Sequence, residues 1–225
     1  IMLELANRFK NKNILIYGFG KSGKACFYYL KKNNNIKIYD DKKFSVPKKL
    51  KKYSISKYKI VSNNFDNVVI SPGIDIKKCS LKKYLLKNIN KVISELDIFY
   101  YNNFQNKKIT ITGTNGKSTC SKLLYDILKK HNKDVRLVGN IGNPLLSEKK
   151  IKPKTIFVIE ASSYQIEYSK YFKTDFAIIL NITPDHIERH GTFNNYVNSK
   201  FKLITNQKRN GYAFIEKNNS YLKNK

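Results

Sequence analysis

Ile109-Thr110-Ile111-Thr112-Gly113-Thr114-Asn115-Gly116-Lys117-Ser118-Thr119 decides how this chain folds. The first four residues form a short β-branched run, and Cys120 to Lys130 has helical character. A strand, a glycine loop and a helix carrying Lys then Ser make a cradle for nucleotide phosphates. Loop N–H groups and the helix N-terminus face the phosphates, Lys117 neutralises charge, and the Ser118 hydroxyl can hold Mg²⁺. The common spacing G-x4-G-K-[ST] is not met, because Ile111 stands where its first glycine belongs. A tighter G-x-x-G-K-S form is present instead. Gly113, Thr114, Asn115, Gly116, Lys117, Ser118 and Thr119 are the expected ATP-binding residues.

Downstream of this loop, strands are expected at Val135 to Val138, Thr155 to Ile159, Phe176 to Leu180 and Gly211 to Ile215, with a helix over Phe193 to Thr205. Upstream, strands are expected at Asn13 to Tyr17, Ile36 to Tyr39, Asn67 to Ile70 and Lys91 to Ser94, with helices from Ala25 and from Leu81. Alternating strands and helices imply parallel sheets. The expected fold is α/β: a Rossmann-like parallel-sheet domain over 1–103, then a P-loop-type ATP-binding α/β domain over 104–225. The polar, Asn-rich stretch Tyr100 to Lys108 reads as the linker.

Gly18-x-Gly20-x-x-Gly23 follows the first strand, and Asp40 and Asp41 follow at about the spacing of a dinucleotide fingerprint. The physics of that motif is close backbone approach to a pyrophosphate. NAD and a UDP-sugar both carry one, and a tight strand–helix turn with no ligand has the same sequence. A dehydrogenase also needs acid–base groups near its nicotinamide. The three histidines, His131, His186 and His190, all lie in the second half of the chain.

Glu160 closes a strand, Asp185-His186 follows another, and Lys200 lies on the expected helix. Carboxylate and Ser118 hydroxyl could hold Mg²⁺ against ATP oxygens. Taken singly, His186 reads equally well as a satisfied loop histidine, whereas Lys200 reads as a surface helix lysine. His131 is expected to be exposed, and His190 has no evident role.

The net charge of +28 suggests nucleic-acid binding. Only Arg8, Arg136, Arg189 and Arg209 among 44 basic residues are arginine, however, and the lysines are spread along the chain. Abundant Lys, Asn, Ile, Tyr and Phe share A/T-rich codons. We expect solvated lysine faces and no nucleic-acid partner. Cys26, Cys79 and Cys120 form no C-x-x-C pair, which suggests a reducing cytoplasm without a zinc site. Cys120 is expected to be structural. No apolar run reaches the roughly 18–20 residues of a membrane span, and no signal peptide is evident. The Ile1-Met2 start suggests a fragment.

In these motifs the chain resembles the Mur ligase family, and within it the D-glutamate-adding branch. The matching stretches are Gly18–Gly23, Ser71-Pro72-Gly73-Ile74, Ser94-Glu95-Leu96-Asp97, Thr112–Thr119, Gly139-Asn140-Ile141-Gly142, Glu160–Gln165, Leu180–His190 and Ser199-Lys200, in family order. The resemblance implies a monomeric cytoplasmic enzyme of peptidoglycan-precursor synthesis. It would use ATP and Mg²⁺ to join D-glutamate to UDP-N-acetylmuramoyl-L-alanine. Gly18, Phe19, Gly20, Lys21, Ser22 and Gly23, with Asp40, Asp41, Ser71 and Pro72, would surround uridine and pyrophosphate, and Asn140 would contact the muramoyl peptide. Ser118 and Glu160 would hold one Mg²⁺. Glu160 and His186 would hold a second, supported by Lys200 as a carbamate. Lys117, Lys200 and His186 are the expected catalytic residues. The family also implies a third, C-terminal domain, so these 225 residues alone are expected not to ligate. Another Mur-type amino-acid ligase, or an inactive nucleotide-binding fragment, stays open.

Overall fold

The computed structural model describes residues 7–42, 46–217, 219 and 221. The Ile1-Met2 start and most of the tail beyond Lys217 lie outside the described residues. The chain divides into two compact units: residues up to Asn102 together with Tyr168–Lys170, and Asn103–Glu167 together with Tyr171 onward.

Unit 1 is a parallel sheet of β1 (Asn13–Tyr17), β2 (Asn35–Tyr39), β3 (Asn67–Ile70) and β4 (Val92–Ile93), in the order β2-β1-β3-β4. Ile14, Leu15 and Ile16 of β1 are all buried, as expected for a central strand covered on both faces. The helices are α1 (Lys21–Leu30), α2 (Lys57–Val61), α3 (Lys82–Lys87) and α4 (Glu95–Asn102). Leu15, Tyr17, Ile60, Phe65, Val68 and Leu85 form the core of one side. Because β2 and β3 flank β1 on opposite sides, the strand order reverses at β1/β3. Loops at such a switch point open a crevice at the strand C-termini.

Unit 2 contains β5 (Lys107–Thr112), β6 (Val135–Gly139), β7 (Ile156–Glu160), β8 (Phe176–Ile179) and β9 (Tyr212–Ile215). They form one parallel sheet in the order β6-β7-β5-β8-β9. The helices are α5 (Lys117–Lys130), α6 (Ser163–Glu167), α7 (Ile187–His190) and α8 (Phe193–Thr205). The switch point is β5/β8, with the phosphate loop above β5. Thr192 starts α8 by accepting the Asn195 N–H on its side-chain oxygen at 3.1 Å.

Four local expectations change. Helix α1 begins at Lys21 rather than Ala25, and α5 at Lys117 rather than Cys120. Gly116, at φ +77°, turns the chain directly into α5, so Lys117 and Ser118 belong to its first turn. The expected linker from Tyr100 to Lys108 is largely regular structure, since α4 runs to Asn102 and β5 starts at Lys107. Lys108 is not on a solvated face: it is fully buried. Its Nζ donates to the carbonyls of Asn103, Phe104 and Asn106, at 2.5, 3.3 and 2.6 Å. Three carbonyls for three ammonium donors replace the lost water. Burial and the neighbouring Lys208 still push its pKa down to about 7, with Asp175 opposing them.

Candidate active site

In unit 2 the loop above β5 is held from the β8 side. Asn181 Oδ1 accepts the N–H groups of Thr114 and Asn115 at 3.1 and 2.9 Å, and its Nδ2 donates to the Asn115 carbonyl at 3.2 Å. Thr114 Oγ1 lies 3.0 Å from the Tyr196 hydroxyl and accepts the Thr183 N–H at 3.0 Å. Two N–H groups expected to face phosphate are therefore already bonded. The donors offered to an anion are those of the first turn of α5, which an α-helix leaves without intrahelical partners. Ser118 and Thr119 are exposed on that turn. Lys117 arches back over the loop, donating to the carbonyls of Gly113 and Thr114 at 2.9 and 2.7 Å.

Lys200 is not a surface lysine; only 2% of it is exposed. Helix α8 turns Tyr196, Val197, Lys200 and Leu203 inward, a spacing of one helical face. Lys200 Nζ donates to the Gly113 carbonyl at 2.8 Å and lies 4.7 Å above the Tyr196 ring. Burial, then the charge of Lys117, lower its pKa to about 7 against the opposing charge of Asp185.

Glu160 ends β7 level with Ile111 of β5 and is fully buried. Its Oε1 accepts Asn140 Nδ2 at 2.7 Å, and its backbone carbonyl accepts the Asn140 N–H at 2.9 Å. Gly139 permits this approach: at φ +109°, a Cβ there would lie 2.2 Å from the Glu160 carbonyl oxygen. Glu160 Oε2 is buried without a hydrogen-bond partner among the described residues. His186 has φ +54°, uncommon for a histidine, and its ring lies 5.0 Å from that of Tyr164. Its Nε2 is 3.4 Å from Asp185 Oδ2. His131 is exposed, and His190 is buried. Burial pushes the Cys120 thiol up, against a reactive thiolate.

In unit 1 the three loop glycines have different physical reasons. Gly18 has φ +91°, and a Cβ on it would meet Ser71 Cβ at 2.7 Å. A Cβ on Gly23 would lie 2.0 Å from the Gly18 carbonyl oxygen, so this glycine lets α1 pack on β1. A Cβ on Gly20 would meet nothing within 4 Å, which leaves the loop backbone open to a ligand. Asp40 accepts the N–H groups of Phe19 and Lys42 at 2.6 and 2.8 Å. Asp41 accepts the Tyr17 and Ser80 hydroxyls at 2.6 and 2.5 Å. Ser71 Oγ donates to the Gly18 carbonyl at 2.8 Å, while Ser22 turns away to Glu95 at 2.5 Å. Lys21 is exposed and Pro72 half-buried.

Residues 111–225 match the sequence model of the Mur ligase middle domain. The chain belongs to the Mur ligase family. It is 37% identical over 222 residues to the UDP-N-acetylmuramoylalanine–D-glutamate ligase of Caldicellulosiruptor bescii, covering 94% of this chain and 48% of that protein. It is 40% identical to the enzyme of the same name from Elusimicrobium minutum, covering 93% and 49%. The chain thus spans about half the length of the relatives it matches. The fold resembles that of the UDP-N-acetylmuramate:L-alanyl-gamma-D-glutamyl-meso-diaminopimelate ligase from Neisseria meningitidis. The TM-score is 0.58 at 15% identity, over 95% of this chain and 74% of that one.

In this Mur ligase chain no three His, Cys, Asp or Glu side chains among the described residues form a ready-made metal cage. Mg²⁺ seldom needs one, since one or two carboxylates with phosphate oxygens and water suffice. The orphaned, buried Glu160 Oε2 fits such a cation. Asn181 and Tyr196 are the site residues missed in the sequence. Asn181 was visible as the polar residue closing a strand beside the phosphate loop, whereas nothing marked Tyr196. No helix among the described residues is long and apolar enough to cross a membrane.

Proposed function

We propose that this chain forms the nucleotide-sugar and ATP sites of a cytoplasmic, monomeric ligase. The enzyme joins D-glutamate to UDP-N-acetylmuramoyl-L-alanine in peptidoglycan-precursor synthesis. The observation that carries this is Glu160: a buried carboxylate oxygen with no donor among the described residues, one strand from a phosphate loop, calls for a cation. The names of the relatives support the choice of substrates.

The first turn of α5 and Lys117 bind the ATP phosphates, within the Gly113, Thr114, Asn115, Gly116, Lys117, Ser118, Thr119 loop. Ser118, Glu160 and His186 would hold Mg²⁺, with Lys200 as a carbamate. When bound, the ion supplies charge stabilisation at the transferring phosphoryl group. Lys200 suits carbamylation because an amine of pKa about 7 is substantially neutral, and only the neutral amine adds to CO₂. The substrate carboxylate attacks the γ-phosphorus, releasing ADP and forming an acyl phosphate. The amine of D-glutamate then attacks the acyl carbon, loses a proton and expels phosphate. Lys117 stabilises the negative charge during phosphoryl transfer, and the loop positions both reactants. In unit 1, Gly18–Gly23 with Ser71 and Pro72 receives the pyrophosphate and uridine, and Asp40 and Asp41 frame that loop. Asn140 reaches both Glu160 and the muramoyl peptide.

Calorimetry with UDP-N-acetylmuramoyl-L-alanine and with NADH, in moderate salt, tests this. Saturable binding of the UDP-sugar alone is expected. Binding of NADH alone would overturn the proposal and make unit 1 a dehydrogenase-like module.

A further inference from the structure

His190 is 2% exposed, and the reaction proposed above does not use it. Its Nε2 lies 3.0 Å from the Ser163 hydroxyl, which is equally buried. Ser163 opens α6 three residues after Glu160. His190 closes α7, whose N-cap is His186 in its left-handed conformation. The hydrogen bond therefore joins the segment carrying Glu160 to the short turn carrying His186. The rings around it reinforce the link. Tyr164 stacks on His190 at 5.5 Å and 27°, and its ring is also next to His186. Tyr196 lies 5.4 Å from His190 and 6.2 Å from His186. Asn195 Nδ2 donates to the His190 carbonyl at 2.9 Å, tying the same turn to the start of α8.

An apolar ring would stack on Tyr164 and pack against the tilted Tyr196 as well as an imidazole does. What the imidazole adds is a directional bond to a buried hydroxyl. We propose that His190 is a positioning residue: through Ser163 it fixes His186 relative to Glu160, so that both address one divalent cation. This rests on the metal site proposed above. Groups that orient metal ligands typically change metal affinity by about 10–100-fold when removed.

Mn²⁺ serves as the probe, with a non-hydrolysable ATP analogue, read by electron paramagnetic resonance. The wild-type chain is compared with His190→Phe, His190→Gln and Ser163→Ala. The phenylalanine keeps the stacking and deletes the bond, whereas glutamine can still reach a hydroxyl. Ser163→Ala removes the partner with the smallest change in volume, and so decides the matter should His190→Phe fail to fold. In the wild type, bound Mn²⁺ is expected to show nitrogen coupling from the His186 ring. Phe and Ala should weaken Mn²⁺ binding by about 10-fold or more and lose that coupling, and Gln should recover most of both. Metal-free affinity for the analogue should stay unchanged. A histidine that only fills the core would lower the unfolding temperature without moving the coupling. Unchanged Mn²⁺ affinity and coupling in folded Phe and Ala variants would overturn the proposal. Mn²⁺ bound by the wild type without nitrogen coupling would overturn it too, while leaving Glu160 as a ligand. Failure of the wild type to bind Mn²⁺ at all would remove the metal-site reading itself, and this inference with it.

Discussion

Lys117 and Lys200 donate to one acceptor, the Gly113 carbonyl oxygen, from 2.9 and 2.8 Å. Two ammonium groups on one carbonyl repel each other, and Lys200 is the more buried of the two. Its pKa is lowered to about 7 while an unfolded lysine stays near 10.5. Between those values the unfolded chain holds a proton that the native chain has lost. The unfolded state therefore binds more protons, and stability rises with pH across the window. Unfolding temperature is expected to increase from pH 7 to 9, and Lys200→Met should reduce that rise, with Lys108 supplying the remainder. In CO₂-free buffer, where Lys200 is a free amine, competitive amine labelling read by mass spectrometry should place its midpoint near 7, moving up in Lys117→Met. An ordinary lysine midpoint in the native protein would sink this account.

Glu160 supplies a second prediction. A ligand that binds only the native state at 100 times its dissociation constant stabilises by about 2.7 kcal/mol. Mg²⁺ with an ATP analogue should raise the unfolding temperature of the wild type. Glu160→Gln should fold, because its amide can stay beside Asn140, but should lose the increment due to the metal. Equal metal-dependent increments in both proteins would remove Glu160 from the ligand set.

Asn181 holds two loop N–H groups and one loop carbonyl with a single side chain. Asn181→Ala leaves those groups to water and frees the loop to move. ATP affinity is expected to fall by about 1–3 kcal/mol, measured calorimetrically, with a smaller loss of overall stability. Unaltered ATP affinity would show that the loop keeps its shape without this strut.

Gly20 and Gly23 separate folding from binding in unit 1. Gly23→Ala must push a Cβ into the Gly18 carbonyl, so a marked fall in unfolding temperature is expected. Gly20→Ala meets nothing, so stability should change by no more than about 0.5 kcal/mol. Its methyl group stands where a pyrophosphate would approach, and UDP-sugar affinity should drop on the order of tenfold, about 1.4 kcal/mol. Undiminished binding by Gly20→Ala would place the ligand elsewhere.

The parallel sheets were legible because short apolar runs rich in β-branched residues ended at glycine, acidic or small polar positions. Both glycine loops were legible for the same reason, as each lies directly beyond a strand. The burial of Lys200 and Lys108 was not. A lysine on a helix or at a strand end carries no local sign of burial. What buries Lys200 is the inward face of α8, and what accommodates Lys108 is three backbone carbonyls, which have no side-chain signature. His190 and Ser163 are 27 residues apart, and no spacing rule joins them. The Asn181 grip on the loop likewise arises from the adjacency of β5 and β8, a tertiary fact.

Unit 1 is assembled from two stretches of chain, and Asp97 marks the seam. Its Oδ2 accepts the Ser94 N–H locally at 2.9 Å. Its Oδ1 accepts Ser169 Oγ and the Lys170 N–H, at 3.0 and 2.9 Å. Asp97 is fully buried, and a buried carboxylate oxygen without donors is costly. On the ribosome those donors arrive 72 and 73 residues after Asp97 itself. At roughly 5–20 residues per second, the wait is several seconds. During that interval the first sheet can form, but Asp97, on α4, still lacks the Ser169 and Lys170 donors that the folded unit gives it. Completion of unit 1 is thus timed by synthesis of unit 2.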